Sequence, residues 1–337
     1  MSNIKPIIAI LLGDASGCGP EIIAKLAAAG KLAAGCRPVL IGDTRVFANA
    51  QTYAATNVPV AVISAVSEAD WGGPVPFIDL KNLDPATFQL AKPNAECGRA
   101  MGESFLKALE LAVNGDVHGI MYAPAHKAAL NMGGFHYDSE AELFASVLDV
   151  RTYHNEINIL YDVWTTRVTS HVPLKDVSGL LTRERVVEAI VFADTTLKKA
   201  GYEKPRVAVA AFNPHAGENG KFGTEEIEVI GPAVETAAAQ GIDATGPYPA
   251  DTIFDRAFKG QFDMVVTLFH DQGQIALKTK GFSEGVTVAG GMPVPICTPA
   301  HGTAFGKVGK GTADTKATEN ALRICCRMSV QALREKG

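Results

Sequence analysis

Short apolar runs alternate with amphipathic stretches along the chain. The run "IIAILLG" precedes "PEIIAKLAAAGKLA", "RPVLIG" precedes "TRVFANAQTYA", and "RVAVAAF" precedes "TEEIEVIGPAVETAAAQ". Apolar runs bounded by turn signals predict buried strands, and apolar positions that recur every three to four residues predict helices. Strands that alternate with helices favour an α/β fold whose parallel strands are joined by crossover helices.

The same pattern predicts the remaining elements. Further strands are predicted at "VPVAVIS", "GIMYAPA", "EINILYD", "RVTSHVPL" and "FDMVVTLF", the last of them ending at His270. Helices are predicted at "GRAMGESFLKALELAV", "TRERVVEAIVFADTTLKKA" and "ATENALRICCRMSVQALREK", and the Pro- and Asp-rich residues 73–95 are predicted to form a loop. There is no internal repeat and no low-complexity linker, so ordinary chain must cross any domain boundary.

Composition narrows the class of protein. The 337 residues are 47% hydrophobic and 20% charged, which is typical of a globular protein and sufficient for two α/β domains. A net charge of −5 without a long basic run does not favour nucleic acid or an anionic membrane as a partner. The apolar N-terminal run is too short to span a membrane. The six cysteines include no CxxC pair, so we expect reduced core thiols and a cytoplasmic location.

Three predicted strands lead into a histidine: His171 in "RVTSHVPLKD", His215 in "VAVAAFNPHAGENG" and His270 in "MVVTLFHDQG". In open α/β sheets, ligands bind at the carboxyl ends of the strands. Three imidazoles at that edge predict a metal site with open positions for substrate. A single such histidine is more often a capped or partly exposed residue, and it is the repetition that favours metal binding.

Charged residues near these histidines have two interpretations. Asp251 lies at a predicted helix start, where helix capping is the commonest role, and Asp271 follows His270 directly. Both carboxylates are also candidates for supporting the metal or moving a proton. Lys278 is either a solvated surface lysine or a cation that binds an acidic substrate or donates a proton.

Two glycine-rich segments are candidate ligand loops. "GDASGCGPE" joins the first strand to the first helix; it lacks GxGxxG, and a structural turn is at least as favoured as an anion-binding loop. "PAHGTAFGKVGKGTAD", residues 299–314, precedes the last helix and could wrap a dinucleotide or form a flexible surface loop.

Seven blocks in this order resemble the 4-hydroxythreonine-4-phosphate dehydrogenase family over nearly the whole chain: "GDASGCGPE", "AHKAALN", "TSHVPLKD", "NPHAGENGKFGTEE", "PADTIF", "HDQGQIALKTKGF" and "HGTAFGKVGKGTAD". The last block is also similar to the nucleotide loop of isocitrate and isopropylmalate dehydrogenases. The resemblance implies two α/β/α domains around a central cleft, the architecture of isocitrate and isopropylmalate dehydrogenases. We expect residues 1–130 plus 280–337 to bind the nucleotide, and residues 131–279 to bind metal and substrate and to form the dimer.

The resemblance further implies a homodimer with shared active sites, in which His171, His215 and His270 from both subunits hold a divalent metal. Zinc suits three imidazoles best, and magnesium, manganese or cobalt are alternatives. The implied reaction is NAD- or NADP-dependent oxidation of a secondary alcohol followed by decarboxylation, with Lys278, Asp251 and Asp271 as catalytic residues. The implied cofactor-binding residues are Gly302, Thr303, Ala304, Lys310 and Gly311.

Four substrate-contacting positions depart from the family pattern. Glu140 and Ala141 replace a His-Thr pair, Thr287 replaces an asparagine, and Ile296 replaces an arginine. A carboxylate beside a substrate phosphate would oppose binding by about 1–4 kcal/mol. A non-phosphorylated acid is therefore expected, such as the cis-dihydrodiol of terephthalate that one branch of the family oxidises.

Other functions remain possible from the sequence. The first is the vitamin B6 pathway enzyme itself, with the phosphate held by other contacts. The second is a hydrolase that uses the three histidines to activate water, which the nucleotide-type loop does not favour. The third is a non-catalytic ligand-binding protein built on the same scaffold.

Overall fold

A computed structural model describes residues 4–281 and 283–336 of the chain. The chain forms two compact units: unit 1 comprises Met1–Arg151 and Val286–Gly337, and unit 2 comprises Thr152–Gly285. The predicted domains had the same order, with a discontinuous first part and a continuous second part. The boundaries lie at 151/152 and 285/286, not at 130/131 and 279/280, because residues 131–151 fold with unit 1.

The strands of the described chain are β1 Ile7–Leu11, β2 Arg37–Gly42, β3 Val60–Val62, β4 Val75–Asp79, β5 Gly119–Tyr122, β6 Asn155–Leu160, β7 Val163–Arg167, β8 Val207–Ala210, β9 Ala244–Tyr248, β10 Met264–Thr267, β11 Val286–Gly290 and β12 Ile296–Pro299. The α-helices are α1 Gly19–Ala28, α2 Thr44–Ala54, α3 Ala95–Val113, α4 Lys127–Met132, α5 Glu140–Val147, α6 Leu174–Leu180, α7 Arg183–Lys199, α8 Gly231–Ala239, α9 Ala250–Phe258, α10 His270–Gly281 and α11 Lys316–Lys336.

Unit 1 contains a mainly parallel sheet with the strand order β3-β4-β2-β1-β5-β12-β11. The central strands are parallel, and β11 and β12 form an antiparallel pair. Strand β1 is buried at four of its five positions because helices cover the sheet, as the apolar run "IIAILLG" predicts. Phe105 of α3 packs edge-on against Tyr122 and Phe144 in the core of this unit.

Unit 2 has the strand order β6-β7-β10-β8-β9. Strands β7, β10, β8 and β9 are parallel, and β6 is antiparallel to β7. Every residue of β7, β8 and β10 is buried, which explains the apolar character of β8 and β10. Strand β7 also buries Thr165, Thr166 and Arg167. The three strands nearest the middle of this sheet are therefore the ones that lead toward the three histidines.

The α/β class and most predicted elements are confirmed, with four corrections. Residues 73–95 contain strand β4 and are not all loop. The predicted strand at "RVTSHVPL" is wrong, because β7 ends at Arg167 and the chain to His171 is irregular. His270 does not end a strand: β10 ends at Thr267, and His270 begins α10. Strands β7, β9, β11 and β12 and the short helices α4, α5 and α6 were not predicted.

Two expectations from composition can be compared with the structure. All six cysteines are buried and free of disulfides, which confirms reduced core thiols. None of the helices within residues 4–281 and 283–336 has the length and apolarity that a membrane crossing requires.

Candidate active site

The three histidines follow three adjacent parallel strands of unit 2. Strand β10 pairs in parallel with β7 on one side and with β8 on the other. His171 lies four residues beyond the end of β7, His215 five beyond β8, and His270 three beyond β10. Parallel strands end at the same edge of a sheet, so the topology directs all three histidine-bearing segments to one edge of this unit.

His171 and His270 lie close together. Their ring centroids are 5.6 Å apart and their planes are tilted by 42°. Two imidazoles bound to one tetrahedral zinc ion at ordinary Zn–N distances would have centroids about 5 Å apart. Nδ1 of His270 is 2.7 Å from Oδ1 of Asp271, which leaves Nε2 available to a cation. Metal-ligating histidines commonly hold a carboxylate on the other ring nitrogen in this way, so this pair of side chains fits a divalent metal.

His215 lies in a loop with an unusual backbone. His215, Ala216 and Asn219 have φ values of 53°, 52° and 56°, in the left-handed region that side chains disfavour. Such strain persists only where surrounding contacts fix the conformation, and it is concentrated at functional sites. His171 shares this feature, with φ of 48°.

A buried glutamate that the sequence analysis missed fixes the His215 loop. Glu226, 5% exposed, accepts hydrogen bonds from the backbone N–H groups of Phe212 and Asn213 at 2.8 and 2.7 Å. Its other oxygen accepts a bond from Nδ2 of Asn213 at 2.9 Å. The segment "TEEIEV" contains three glutamates, and nothing local in the sequence distinguishes the buried one.

Gln272 performs a similar role at the start of α10. Its Oε1 accepts from the backbone N–H of Leu268, and its Nε2 donates to the carbonyl of Ala211 at 2.9 Å. Gln272 therefore connects the turn before His270 to the end of β8, from which the His215 loop departs. Its place in the "HDQG" block was the only sequence signal for this role.

The other predicted catalytic residues lie in the same unit. Lys278 is exposed on α10, seven residues after Asp271 and so on a similar side of the helix. Asp251 is exposed in the first turn of α9 and is not the N-cap, because Pro249 occupies that position. In the described part of this single chain, no three or more His, Cys, Asp or Glu side chains form a group able to hold a metal ion. The complete three-histidine site, with ligands from two subunits, stays a prediction.

The two glycine-rich segments meet in unit 1. The backbone N–H of Cys18 donates to the carbonyl of Thr303 at 2.9 Å, and a side chain at Gly17 would collide with Thr303. Farther along, Glu21 accepts from the backbone N–H of Ala313 at 3.0 Å. The loop after β1 and the segment after β12 therefore form one structure, which neither segment alone predicted.

Lys25 joins helix α1 to the glycine-rich segment after β12. Its Nζ donates to the carbonyls of Gly311 and Ala313 at 2.7 and 2.9 Å and lies 3.0 Å from Oε1 of Glu21. Gly311 has φ of 66°, and an added Cβ would lie 2.7 Å from the carbonyl of Tyr53, so only glycine fits.

A small concave pocket of about 100 Å³ opens beside these segments. Its wall includes Gly17 and Glu21 from the first segment, Gly309 from the second, and Tyr53 and Phe88. Glycine backbone, an acidic side chain and aromatic rings are suited to parts of a nucleotide. This pocket is the candidate cofactor site of unit 1, and no motif in the sequence pointed to Tyr53 or Phe88.

The five predicted cofactor-binding residues differ in exposure and in the contacts they make. Thr303 is buried against Gly17, Ala304 is exposed with φ of 46°, and Gly302 is open to solvent. Nζ of Lys310 donates to the carbonyl of Gly306 within the segment, and Gly311 is pinned by Lys25. Direct contact of any of these five with a cofactor stays a prediction.

The four predicted substrate residues all lie in unit 1. Glu140 begins α5 and lines a small groove with Lys127, Tyr137 and Ser139; Ala141 follows it in the helix. Thr287 is half-buried on β11. Ile296 is 1% exposed and packs in the hydrophobic core, so it supports the sheet, and its contact with a substrate stays a prediction.

The family model for the pyridoxal phosphate biosynthetic protein PdxA matches residues 34–325. The chain is a member of the PdxA family, an α/β protein whose curated relatives are dehydrogenases. A Pseudomonas aeruginosa protein, provisionally named 4-hydroxythreonine-4-phosphate dehydrogenase 2, is 44% identical over 96% of this chain and 97% of its own length. The D-threonate 4-phosphate dehydrogenase of Salmonella typhimurium is 38% identical over 96% of this chain and 98% of its own length.

Solved structures agree on the fold. A 4-hydroxythreonine-4-phosphate dehydrogenase from Burkholderia phymatum has 37% identity and a TM-score of 0.82, with 96% of this chain and 98% of that chain covered. A terephthalate 1,2-cis-dihydrodiol dehydrogenase from Burkholderia xenovorans has 24% identity and a TM-score of 0.66 over 96% and 98% of the two chains. The second likeness supports the shared fold alone. The expected terephthalate-type substrate therefore has weaker support than the phosphorylated alternative.

Proposed function

We propose that the protein is a metal-dependent, NAD- or NADP-linked dehydrogenase that oxidises a secondary alcohol in a small phosphorylated hydroxy acid, and that decarboxylation follows. The observation that carries the proposal is the placement of His171, His215 and His270 after three adjacent parallel strands, with Asp271 bonded to His270. The separate glycine-rich pocket of unit 1 supports a nucleotide cofactor.

The donor set suits the chemistry. His171 and His270 would contribute neutral imidazole ligands, with Asp271 orienting His270. A divalent cation, when bound, supplies a Lewis acid that lowers the pKa of a substrate hydroxyl and stabilises negative charge on the oxygen. Lys278 is placed on α10 to attract an acidic substrate or to return a proton to the product, and Asp251 in α9 is a second proton-transfer candidate.

The substrate class follows the curated relatives. Their names specify 4-hydroxythreonine 4-phosphate and D-threonate 4-phosphate, which are four-carbon acids with a hydroxyl β to the carboxylate. Oxidation of that hydroxyl gives a β-keto acid, and such acids lose CO₂ readily when the developing enolate oxygen is stabilised. The groove beside Glu140 also contains Lys127, Tyr137 and Ser139. Their side chains carry hydrogen-bond donors suited to a phosphate, and the four substitutions alone did not reveal them.

Glu140 favours a second candidate. Its carboxylate lies among those donors, where it would repel a phosphate and leave room for a neutral or cationic group. A non-phosphorylated hydroxy acid with an uncharged group at this position is the substrate class that Glu140 supports, and the terephthalate-type cis-dihydrodiol is the non-phosphorylated example to be tested. No comparable observation favours a hydrolase.

A homodimer is part of the proposal. Exposed apolar side chains flank each histidine: Val172 and Leu174 follow His171, Ile275 lies on α10, and Phe222 contacts the ring of His215. Leu174 and Ile275 are 68% and 64% exposed. Apolar side chains concentrated around a polar site are typical of a surface that a second subunit covers.

The deciding experiment measures reduction of NAD and of NADP with purified protein and added Zn²⁺, Mn²⁺, Mg²⁺ or Co²⁺. The substrates are 4-hydroxythreonine 4-phosphate, D-threonate 4-phosphate and the terephthalate cis-dihydrodiol. Turnover of a phosphorylated acid with release of CO₂ is the expected result. Turnover of the dihydrodiol alone would replace the proposed substrate by the second candidate, and no nicotinamide reduction with any acid and metal would contradict the proposal.

A further inference from the structure

Arg167, the last residue of β7, carries a buried guanidinium in unit 2. The residue is only 3% exposed, and its three nitrogens contact three different side chains. Nε donates to Oγ of Ser170 at 2.8 Å, Nη1 donates to Oδ1 of Asn158 at 3.0 Å, and Nη2 pairs with Glu156. A buried charge is costly unless it is paired and hydrogen-bonded, and here every guanidinium nitrogen has a partner.

One of these contacts reaches the backbone next to a candidate metal ligand. Ser170 directly precedes His171, whose φ of 48° lies in the disfavoured left-handed region. The bond from Arg167 to Ser170 closes the turn between the end of β7 and His171. The strained backbone of His171 is therefore held by a side chain that is itself buried and bonded through all three of its nitrogens.

A second contact leads to the other candidate ligand. Oδ1 of Asn158 on β6 also accepts a hydrogen bond from Nε2 of Gln274 at 2.6 Å. Gln274 lies four residues after His270 in α10, on the same side of the helix. Asn158 thus uses both lone pairs of one oxygen to join Arg167 to the helix that begins with His270.

We propose that Arg167 is a positioning residue that sets the separation of His171 and His270. The polar chain Ser170–Arg167–Asn158–Gln274 connects the turn before His171 to the helix that starts at His270. Outer partners of this kind orient metal ligands, and their loss typically weakens metal binding about 10- to 100-fold. The inference rests on the proposed metal-dependent function, because the two histidines must share a cation for their separation to matter.

Unit 2 offers a matched control for a purely structural role. Arg206 also binds a carboxylate through two nitrogens, with Nε and Nη2 contacting Asp263 at 3.1 and 2.8 Å. Its third nitrogen, Nη1, donates to the carbonyl of Gly260, and Asp263 lies before the first residue of β10, at the opposite end of that strand from His270. Arg167→Met and Arg206→Met remove the same group from the same unit.

The experiment titrates the metal-free full-length dimer with Co²⁺ alone and follows the visible absorption bands of bound cobalt. Arg167→Met is expected to weaken Co²⁺ binding about 10- to 100-fold and to alter the bands, because the ligand geometry changes. Arg206→Met is expected to bind Co²⁺ as the wild type does. Thermal unfolding of each apoprotein measures loss of stability separately.

Two milder variants keep the test decisive if Arg167→Met does not fold. Ser170→Ala removes the bond nearest His171, and Gln274→Ala removes the bond to α10. Gln331→Ala is the control, because the side chain of Gln331 donates to Glu335 of its own helix in unit 1. Altered cobalt bands in both milder variants support the inference. Wild-type bands and affinity in every folded variant would overturn it while leaving the proposed function intact. A wild-type protein that binds no Co²⁺ would overturn both.

Discussion

The segments that follow the strands of unit 1 and unit 2 are stabilised in different ways. In unit 2, histidine side chains lie on left-handed backbone at His171 and His215, and buried polar side chains such as Glu226 hold that backbone. In unit 1, glycines such as Gly13, Gly309 and Gly311 form most of the left-handed turns after β1 and β12, with Ala304 as an exception. Lys25 and Glu21 of α1 bind the segment after β12.

The difference follows from what each site must present. A metal ion must be bound by imidazoles that point in fixed directions. The left-handed backbone of His171 and His215 is strained, and buried hydrogen bonds offset that strain. A nucleotide is bound largely by backbone groups and close approach, which glycine provides without strain. Changes at the two sets of strand ends should therefore be separable, the first affecting metal binding and turnover, the second affecting nucleotide binding.

Removal of His270 should produce the largest effect. In His270→Ala the imidazole that faces His171 is lost, and turnover is expected to fall by at least about 10²–10³-fold, as when a group that stabilises charge in the transition state is removed. Binding of NADH, followed by its fluorescence, should stay at the wild-type level. Loss of NADH binding in this variant would break the proposed separation of the two units.

Removal of the Glu226 carboxylate tests whether the His215 loop depends on its anchor. Glu226→Ala leaves the backbone N–H groups of Phe212 and Asn213 without their acceptor, while Nδ2 of Asn213 keeps its bond to Glu225. The free energy of unfolding should therefore fall by about 1–3 kcal/mol, and turnover should fall with it. Chemical denaturation and initial rates measure the two effects. The matched change Glu228→Ala, at an exposed position of the same segment, should alter neither; equal losses in both variants would show that the loop does not need Glu226.

The sequence predicted the long helices and most of the central strands, because their signals are local. "TRVFANAQTYA" matches α2 over its whole length, since apolar residues recur at helical spacing and Asp43 caps the first turn. Strand β4 was missed because its five residues lie within a Pro- and Asp-rich stretch. His270 was assigned to a strand end because the apolar run continues to Phe269, although the backbone leaves the sheet at Thr267.

The sequence predicted which residues belong to the candidate site, but it did not predict the hydrogen bonds that hold them in place. The three histidines could be placed at strand ends from the sequence, because parallel topology brings those ends together. The supporting contacts could not: Arg167 and Asn158 are nine residues apart, and Asn158 and Gln274 are 116 apart. Partners at such separations depend on strand order and on which side chains are buried, and neither is recorded in local periodicity.

Lys25 provides the corresponding test in unit 1. In Lys25→Met the carbonyls of Gly311 and Ala313 lose a charged donor, so the KM for the nucleotide should rise about two- to tenfold with little change in kcat. Lys198→Met is the control, because Lys198 makes an ion pair of the same helical spacing with Asp194. A fall in kcat with unchanged KM would contradict a role for the pinned segment in nucleotide binding.

The smallest expected effects concern two buried aspartates that follow adjacent strands of unit 1. Burial raises the pKa of Asp14 because the charged carboxylate is removed from water, although Ser16 donates two hydrogen bonds to Oδ1. Among the described residues, Oδ2 of Asp14 has no hydrogen-bond partner. Burial also acts on Asp43, but hydrogen bonds from Arg45 and from the backbone N–H of Leu83 outweigh it and lower its pKa.

Opposite pKa shifts require opposite pH dependence. The raised pKa of Asp14 contributes stability below the ordinary value of 3.8, and this contribution is lost as the pH rises through the folded-state pKa. The lowered pKa of Asp43 contributes stability above 3.8, and this contribution is lost as the pH falls through the folded-state pKa. Urea unfolding between about pH 3.5 and 7 should show the stability of the wild type relative to Asp14→Asn decreasing with pH, and relative to Asp43→Asn increasing. If both stability differences changed with pH in the same direction, the opposite pKa shifts of Asp14 and Asp43 would be contradicted. The different hydrogen bonds of the two carboxylates would then have no effect on their pKa values.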